Sequence, residues 1–411
     1  MKQYERALIL APFFIVCFFG ALAQAATSAT TAHASIDPPT IDPTVIDAQF
    51  KRALGLMESD PQEAAVLLRP LYEKTHAVRI QLELARSLYL AGNLSEAKAE
   101  FIALINQSIP ITVRDKVEWY LSEIQKRDSV KVTIGLYQDS NPGYITNART
   151  VSIFGQTLSY QPAQNTNAET GLAVGLEAER ELIPQSGFFA QANLNTATYS
   201  TNAFNKQDID VSVVKRWQGY DYKDLRFGYD TFFYGGNVLF TYPYASSRWV
   251  FNLPNQDYYG FLIKGGPMNY PTYTYLSGSQ TLANIFYNHN ITNNLTAYVE
   301  TGADRTPATQ AAYSSYGFYG ALGTQIAHDA TNVQANIKAT VSQRNYWDSD
   351  PLWGQVRRDS GRLYTASITK RDWYILGMRP SIEVVYQTNQ SAIPFFSYNK
   401  LFGGLFLKNV Y

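Results

Sequence analysis

Catalytic chemistry in this chain would have to come from few side chains. The four histidines are His33, His76, His289 and His328, and none is spaced from another histidine or from carboxylates as metal ligands are. One stretch offers a serine beside a carboxylate, "RRDSG" at 357–361, where Ser360 follows Asp359. A nucleophilic serine also needs a base and oxyanion donors placed around it, and the stretch reads more simply as a loop entering a strand. There is no nucleophile elbow, phosphate loop or dinucleotide fingerprint. The expectation is a protein that is not an enzyme, with no catalytic residues, no metal site and no cofactor. Nucleic acid is excluded as a partner on charge, because 34 Lys and Arg face 34 Asp and Glu and leave no net field to attract a polyanion.

The elements around this absent chemistry say more. The single cysteine, Cys17, sits in "ALILAPFFIVCFFGALA" behind the basic "MKQYER", with Ala23-Gln24-Ala25 as a small-x-small cleavage site. That is a secretory signal over residues 1–25; the alternative, a membrane anchor, is disfavoured by the short apolar run and by Pro12. Residues 26–46 are rich in Ala, Thr and Pro without periodicity and read as a flexible leader.

From Asp47 to Arg127 the apolar period is helical. In "VRIQLELARSLYLAGNLSEAKAEFIALINQSIP" (78–110) one helix runs to a Gly92-Asn93 turn and a second follows, with Ala85, Ala97 and Phe101 at the contact points. The stretch "PQEAAVLLRPLY" (61–72) matches "LSEAKAEFIALI" (94–105), pairing Glu63 with Glu96, Ala64 with Ala97 and Leu68 with Phe101. This spacing resembles tetratricopeptide repeats, in which small residues let paired helices approach. Two repeats and a final helix over 114–127 are expected. In that reading Arg79, Leu82, Arg86, Tyr89 and Leu90 line a concave face that binds client peptide; in an ordinary helical hairpin bundle Arg79 and Arg86 are merely solvated.

At Lys131 the period becomes two. Val333, Ala335, Ile337, Ala339 and Val341 interleave with Gln334, Asn336, Lys338, Thr340 and Ser342, and "VGLEAERELIPQSGFFAQANLNTATYS" (174–200) reads as strand, tight turn, strand. Tight polar turns at 183–187, 219–224, 290–294, 328–331 and 370–373 alternate with longer segments at 138–168, 235–256, 304–314 and 344–360. A soluble sandwich also alternates, but it closes its inner face with Leu, Ile and Val, whereas one face here carries Gln, Asn, Thr, Glu and Lys. The pattern fits an antiparallel transmembrane β-barrel over 129–411, of about 14 strands at about 20 residues per strand and connection. Aromatic content of 14 % and charged content of 17 % fit interfacial girdles and a lipid-facing wall.

The two ends of the barrel carry motifs. "VTIGLYQDSNPG" (132–143) holds a Gly-x-x-x-Asp-Ser-Asn pattern from Gly135 to Asn141, and "GMRPSIEVVYQTNQSAIPFFSYNKLFGGLFLK" (377–408) supplies Pro380, Tyr386, Asn389, Ser391, Asn399, Gly404, Leu405 and Lys408. With these the chain resembles the surface lipoprotein assembly modulator (Slam) family. That resemblance implies a fourteen-stranded outer-membrane barrel behind a periplasmic tetratricopeptide-type domain, assisting delivery of lipoproteins or secreted effector proteins to the cell surface. The implied partners are the exported client protein, a periplasmic chaperone and outer-membrane lipid. A polysaccharide export channel or a passive porin is the alternative. Tyr411 fits a terminal aromatic, while Asn409 falls where an apolar residue is expected.

Overall fold

A computed structural model describes residues 43–409 apart from 106, 108, 126–127, 154–155, 162–166, 184–185 and 377. The expected targeting segment with Cys17, most of the expected leader with His33, and Tyr411 lie outside the described residues. Two compact units follow one another along the chain, a helical one to Ser129 and a barrel from Val130.

The helical unit contains α1 (Pro43–Leu56), α2 (Pro61–Thr75), α3 (Val78–Leu90), α4 (Leu94–Ile105) and α5 (Ile111–Gln125). Helix α1 begins at Pro43, so the last four residues assigned to the leader are helical. Helix α5 starts directly behind Pro110, three residues earlier than expected, because proline disfavours helix in the residue before it and permits one after it. At the start of α2 the Asp60 carboxylate accepts from the Glu63 N–H at 3.0 Å, which satisfies an end donor of the helix. Gly92 takes a left-handed φ of 81° between α3 and α4, as the expected turn requires. Ala85, Ala97, Phe101 and Leu68 are all fully buried. The sequence-expected contact points are therefore the core, where small alanines let α3 and α4 close on the Phe101 ring.

The second unit opens with β1 (Asp128–Asp139), followed by a separate hairpin, β2 (Thr150–Ile153) and β3 (Gln156–Ser159). Next come β4 (Glu169–Ile183), β5 (Phe188–Tyr199), β6 (Lys206–Gln218), β7 (Tyr222–Tyr234), β8 (Asn237–Asn252), β9 (Tyr258–Met268) and β10 (Gly278–Thr292). The last six are β11 (Leu295–Thr306), β12 (Ser315–His328), β13 (Val333–Ser349), β14 (Val356–Lys370), β15 (Met378–Ser391) and β16 (Tyr398–Asn409). Fourteen of these, all but β2 and β3, form a closed barrel in which each strand neighbours the next in sequence and β1 lies between β16 and β4. Closure leaves no bare backbone edge, which is the condition for a sheet to cross lipid.

The alternation sorts side chains as expected, but the faces are inverted relative to a soluble protein. Leu136, Phe227, Ile285, Leu322, Ile337 and Val341 point outward and are each more than half exposed. A continuous apolar wall of this extent is stable only against hydrocarbon. Their neighbours point inward and are paired: Arg344 with Asp304 at 2.8 Å, Lys338 with Glu300 at 3.0 Å, and Arg216 with Glu179.

The loops differ from the sequence expectation. Of the four longer segments, 138–168 and 304–314 are mainly connections; most of 235–256 is strand β8, entered through a two-glycine turn at Gly235 and Gly236 with φ of 57° and 82°. Much of 344–360 is likewise strand, β13 and β14 running on past its turn-rich composition. Tyr, Asn and Thr suit a wet strand face as well as a loop, and composition alone did not separate the two. The stretch 235–280 resolves into β8, β9 and the start of β10.

Candidate functional site

The barrel's first and last strands meet at a seam whose ends are joined by side chains. Backbone pairing of β1 with β16 runs from Thr133–Lys408 to Asp139–Phe402. Beyond the first pair the Asn409 side chain continues the ladder: its Oδ1 accepts from the Val132 N–H at 2.6 Å and its Nδ2 donates to the Val130 carbonyl at 2.8 Å. This explains a polar residue where an apolar one was expected. At the other end Ser140 donates its N–H to the Leu401 carbonyl at 2.8 Å, and the Leu401 N–H donates to Ser140 Oγ at 2.8 Å. Asn141 Nδ2 donates to the carbonyls of Asn399 (3.1 Å) and Ile145 (2.9 Å). The following loop then straps onto the β15–β16 connection through Thr146 Oγ1 to Pro394 O at 3.0 Å and Asn147 N–H to Ser397 O at 3.1 Å.

Behind the strap the lumen side is filled. Asp139 is fully buried, and its carboxylate lies 2.6 Å from Lys400 Nζ and accepts from Tyr199 OH at 2.8 Å and from the Asn141 N–H at 3.0 Å. Lys206 Nζ donates to the Pro142 carbonyl at 3.1 Å. The Tyr144 ring takes both lysines, with Lys400 at 4.2 Å and Lys206 at 4.6 Å from its centroid, a cation–π contact on each. Tyr144 holds a φ of 52°, an uncommon conformation for a bulky residue and a sign that its surroundings dictate it. Below it Tyr137, Phe402, Phe406, Tyr199 and Phe204 form an aromatic cluster. The Phe406 ring lies so close over Gly135 that a β-carbon there would come within 2.1 Å of it, so that glycine is required by packing.

The two sequence motifs therefore converge: Asp139, Ser140 and Asn141 from one end touch Asn399, Lys400 and Leu401 from the other. Several further motif residues brace the same region. Asn389 Nδ2 donates to the Phe396 carbonyl at 2.8 Å, and Ser391 joins the β15–β16 loop through its N–H to Ser397 Oγ at 2.9 Å. Lys408 pairs with Glu383. Sequence reasoning missed Lys206, Tyr144, Tyr199 and Lys400 as partners. They are ordinary lumen-face and loop residues until three distant segments are brought together.

The β2–β3 hairpin caps the neighbouring loops. Val151 is buried with Trp353, Ile393 and Phe396, and Phe395 stands 5.0 Å from the Trp353 ring and 5.1 Å from Tyr160.

In the helical unit the five expected binding residues divide. Arg79 is exposed with its guanidinium 5.6 Å from the Phe50 ring of α1, and Leu90 is exposed. Leu82 packs half-buried on the core. Arg86 Nε donates to Tyr120 OH of α5 at 3.1 Å and NH1 to Glu83 at 2.7 Å, while Tyr89 meets the Tyr120 ring edge-on at 5.1 Å. One face of α3 thus faces α1 at one end and α5 at the other, with Arg86 and Tyr89 already engaged.

The described chemical candidates take the following places in the fold. His289 Nδ1 lies 2.8 Å from Asp257, which also accepts from Tyr287 OH at 3.0 Å, a clamp on the β8–β9 turn; the turn carboxylate is held below its usual range first by the Asn290 backbone N–H and then by His289. His76 caps α2, and His328 Nδ1 sits 2.8 Å from Thr331 Oγ1 in a turn. Ser360 and Asp359 lie within β14, not in a loop, so alternation sends them to opposite faces, and Asp359 is bound by Arg357 at 2.6 Å.

Solved structures similar to this chain are outer-membrane barrels. The channel DcaP of Acinetobacter baumannii aligns at 5 % identity over 69 % of this chain and 97 % of its own, with a TM-score of 0.40. An anion-selective porin from Comamonas acidovorans aligns at 8 % identity over 69 % and 100 %, with a TM-score of 0.36. A loop-deleted form of the Vibrio cholerae outer membrane protein OmpT aligns at 6 % over 68 % and 98 %, at 0.36. No curated protein matches the chain. The model of one family, described as surface lipoprotein assembly modifier, matches residues 129–408, the whole barrel. With its apolar exterior, polar lumen and paired terminal motifs, the chain belongs to the surface lipoprotein assembly modifier family and is an outer-membrane barrel involved in surface lipoprotein assembly.

Proposed function

We propose that the barrel translocates client proteins across the outer membrane, delivering lipoproteins or secreted effector proteins to the cell surface. In this reading the helical unit is a periplasmic tetratricopeptide-like domain that engages the client or a chaperone, and the rim bearing the 140–168 connection faces outside. The observation that carries the reading is the seam, where side chains of Ser140, Asn141 and Asn409 complete the joint and a strap closes its outer end. Backbone pairing at the seam covers only the seven positions from Thr133–Lys408 to Asp139–Phe402, a shorter ladder to part than the run from Val333–Lys370 to Asn345–Arg358 that holds β13 to β14. Arg79 and Leu90, exposed at the two ends of one α3 face, are the residues left available to a client peptide. No nucleotide is needed; folding of the client outside supplies the direction.

The test is a reversible lock. Leu136 and Leu405 are direct partners across the seam and both point outward, so Leu136→Cys with Leu405→Cys places two thiols at bonding distance. Oxidation is expected to stop the appearance of clients at the surface, measured by protease shaving of intact cells, and reductant to restore it. The matched pair Ile337→Cys with Ala366→Cys, in the β13–β14 ladder, is expected to change nothing. Undiminished delivery through a locked seam refutes the seam route, and unchanged surface proteins after deletion of the gene refute translocation altogether.

A further inference from the structure

The outer wall is not uniform. On β11 to β15 the register gives successive rows of outward residues. Ala339, Tyr364 and Tyr386 form one row, with the two tyrosine rings stacked at 6.4 Å, and Val341, Arg362 and Thr388 form the next. Gln343, Ser360 and Gln390 come above them, and Arg305, Tyr316, Asn345 and Arg358 form the row above that. Below Arg362 the face is apolar down to Val333, a span of about 20 Å for tilted strands, close to the height of a barrel's hydrocarbon band. Arg362 therefore marks the upper edge of the band, next to its aromatic girdle, and Arg305 and Arg358 stand just above it.

The charge in this area is one-sided. Glu300, Asp304, Asp359 and Glu383 on the same strands all face the lumen, each with a basic partner there. Asp348, in the bulge above Asn345, accepts from the Ser349 N–H. Arg305, Arg358 and Arg362 are exposed, and among the described residues Arg358 and Arg362 form no ion pair. Arg305 lies over the Trp347 ring at 5.1 Å, which fixes its guanidinium against the wall. Arg358 and Arg362 are about 13 Å apart along β14, and Arg305 is about 14 Å from Arg358 across three strand spacings. Between them lie the amides and hydroxyl of Gln343, Ser360 and Gln390, exposed and suited to sugar hydroxyls.

We propose that this face is a binding site for the phosphorylated saccharide headgroup of an outer-leaflet glycolipid of the lipid A type. Arginine forks fit phosphate oxygens bidentately, the spacing suits phosphates on two linked sugars, and the acyl chains of the same molecule would lie on the apolar rows directly below. The opposite edge of the wall differs in kind: Lys215 there donates to the Ser186 carbonyl and lies 4.6 Å from the Phe188 ring, and Lys223 lies 4.7 Å from the Trp249 ring, an arrangement of snorkelling point charges. The site rests on the orientation proposed above, with the 140–168 rim outside.

The test uses the full chain purified in detergent, with lipid A, dephosphorylated lipid A and phosphatidylglycerol added separately in mixed micelles and bound lipid read by native mass spectrometry. Arg358→Gln with Arg362→Gln is expected to weaken lipid A binding at least about tenfold, from the loss of two charge-assisted contacts. Arg358→Lys with Arg362→Lys, which keeps the charge without the fork, is expected to fall between that variant and the parent. Removing the phosphates is expected to cost as much as removing the arginines, and Lys215→Gln with Lys223→Gln to leave binding unchanged. Equal binding by the arginine variants, equal binding of phosphatidylglycerol, or an equal loss in the lysine variant overturns the site; heat-modified gel mobility verifies that each variant is folded. Orientation is read separately, by labelling Ala203→Cys on intact cells with an impermeant maleimide. Lack of labelling there refutes the orientation while leaving the micelle result to judge the site.

Discussion

The helical unit and the barrel use the same residue types at opposite addresses. Phe101, Leu68 and Leu84 are sealed inside the helical unit, while Leu322, Phe227 and Leu136 lie on the outside of the barrel, more exposed than many lysines elsewhere in the chain. Asp and Glu reverse in the same way: Glu63 and Glu96 are on the helical surface, and Asp139 is fully buried in the barrel lumen. What differs is the solvent each unit was built for. A helix stripe points its apolar side at a neighbour because water surrounds it, and a barrel strand points it outward because lipid does.

The largest expected effect sharpens that contrast from the helical side. Phe101→Ala leaves a cavity at the α3–α4 contact and should destabilise the helical unit by about 3–5 kcal/mol. Its thermal transition by circular dichroism should move down while the heat-modified mobility of the barrel stays unchanged; a shift in both would mean that the units do not fold separately.

Next in size is a charge on the outer wall. Ile337→Arg, on the apolar rows of β13, should cost about 2–4 kcal/mol in a lipid bilayer, as measured by denaturant titration of the barrel in liposomes. The same change at Val66, exposed on the helical unit, should be nearly neutral. Equal costs at the two sites would break the distinction between the environments.

The smallest effect is acidic. Glu96 is held below the usual carboxylate range first by a hydrogen bond from Asn93 and then by Arg69. A carboxylate with a lowered folded value adds stability above its unfolded value, and that contribution fades as pH falls through the folded one. Melting of the helical unit should therefore drop between pH 5 and pH 3 slightly more in the parent than in Glu96→Gln; identical profiles would show the pair to be without consequence. The exposure of the pair keeps the effect small.

How much was legible follows the same division. The contact residues Ala85, Ala97 and Phe101 could be read from spacing because helix pairing is local, and the two faces of β13 because alternation is local too. The segments 235–256 and 344–360 misled because Tyr, Asn and Thr serve turns and wet strand faces alike. The seam itself was half visible: Asp139, Ser140 and Asn141 stood out as a motif, but their partners Lys400, Lys206 and Tyr199 are set by ring closure and strand register, which no window of sequence contains. Asn409 looked like a flaw because it was judged as a strand residue, when its amide acts as a piece of backbone.

The hydrogen bond from Val132 to Asn409 spans 277 residues of chain. Closing so long a loop costs more chain entropy than any hairpin between neighbouring strands, so the hoop is joined by the least local contact of the barrel, and a slow one to form. Until then the growing sheet has two raw margins, each able to zip onto any other strand it encounters. The cell must therefore guard those margins throughout manufacture, and the last few residues of β16 decide when that guardianship can end.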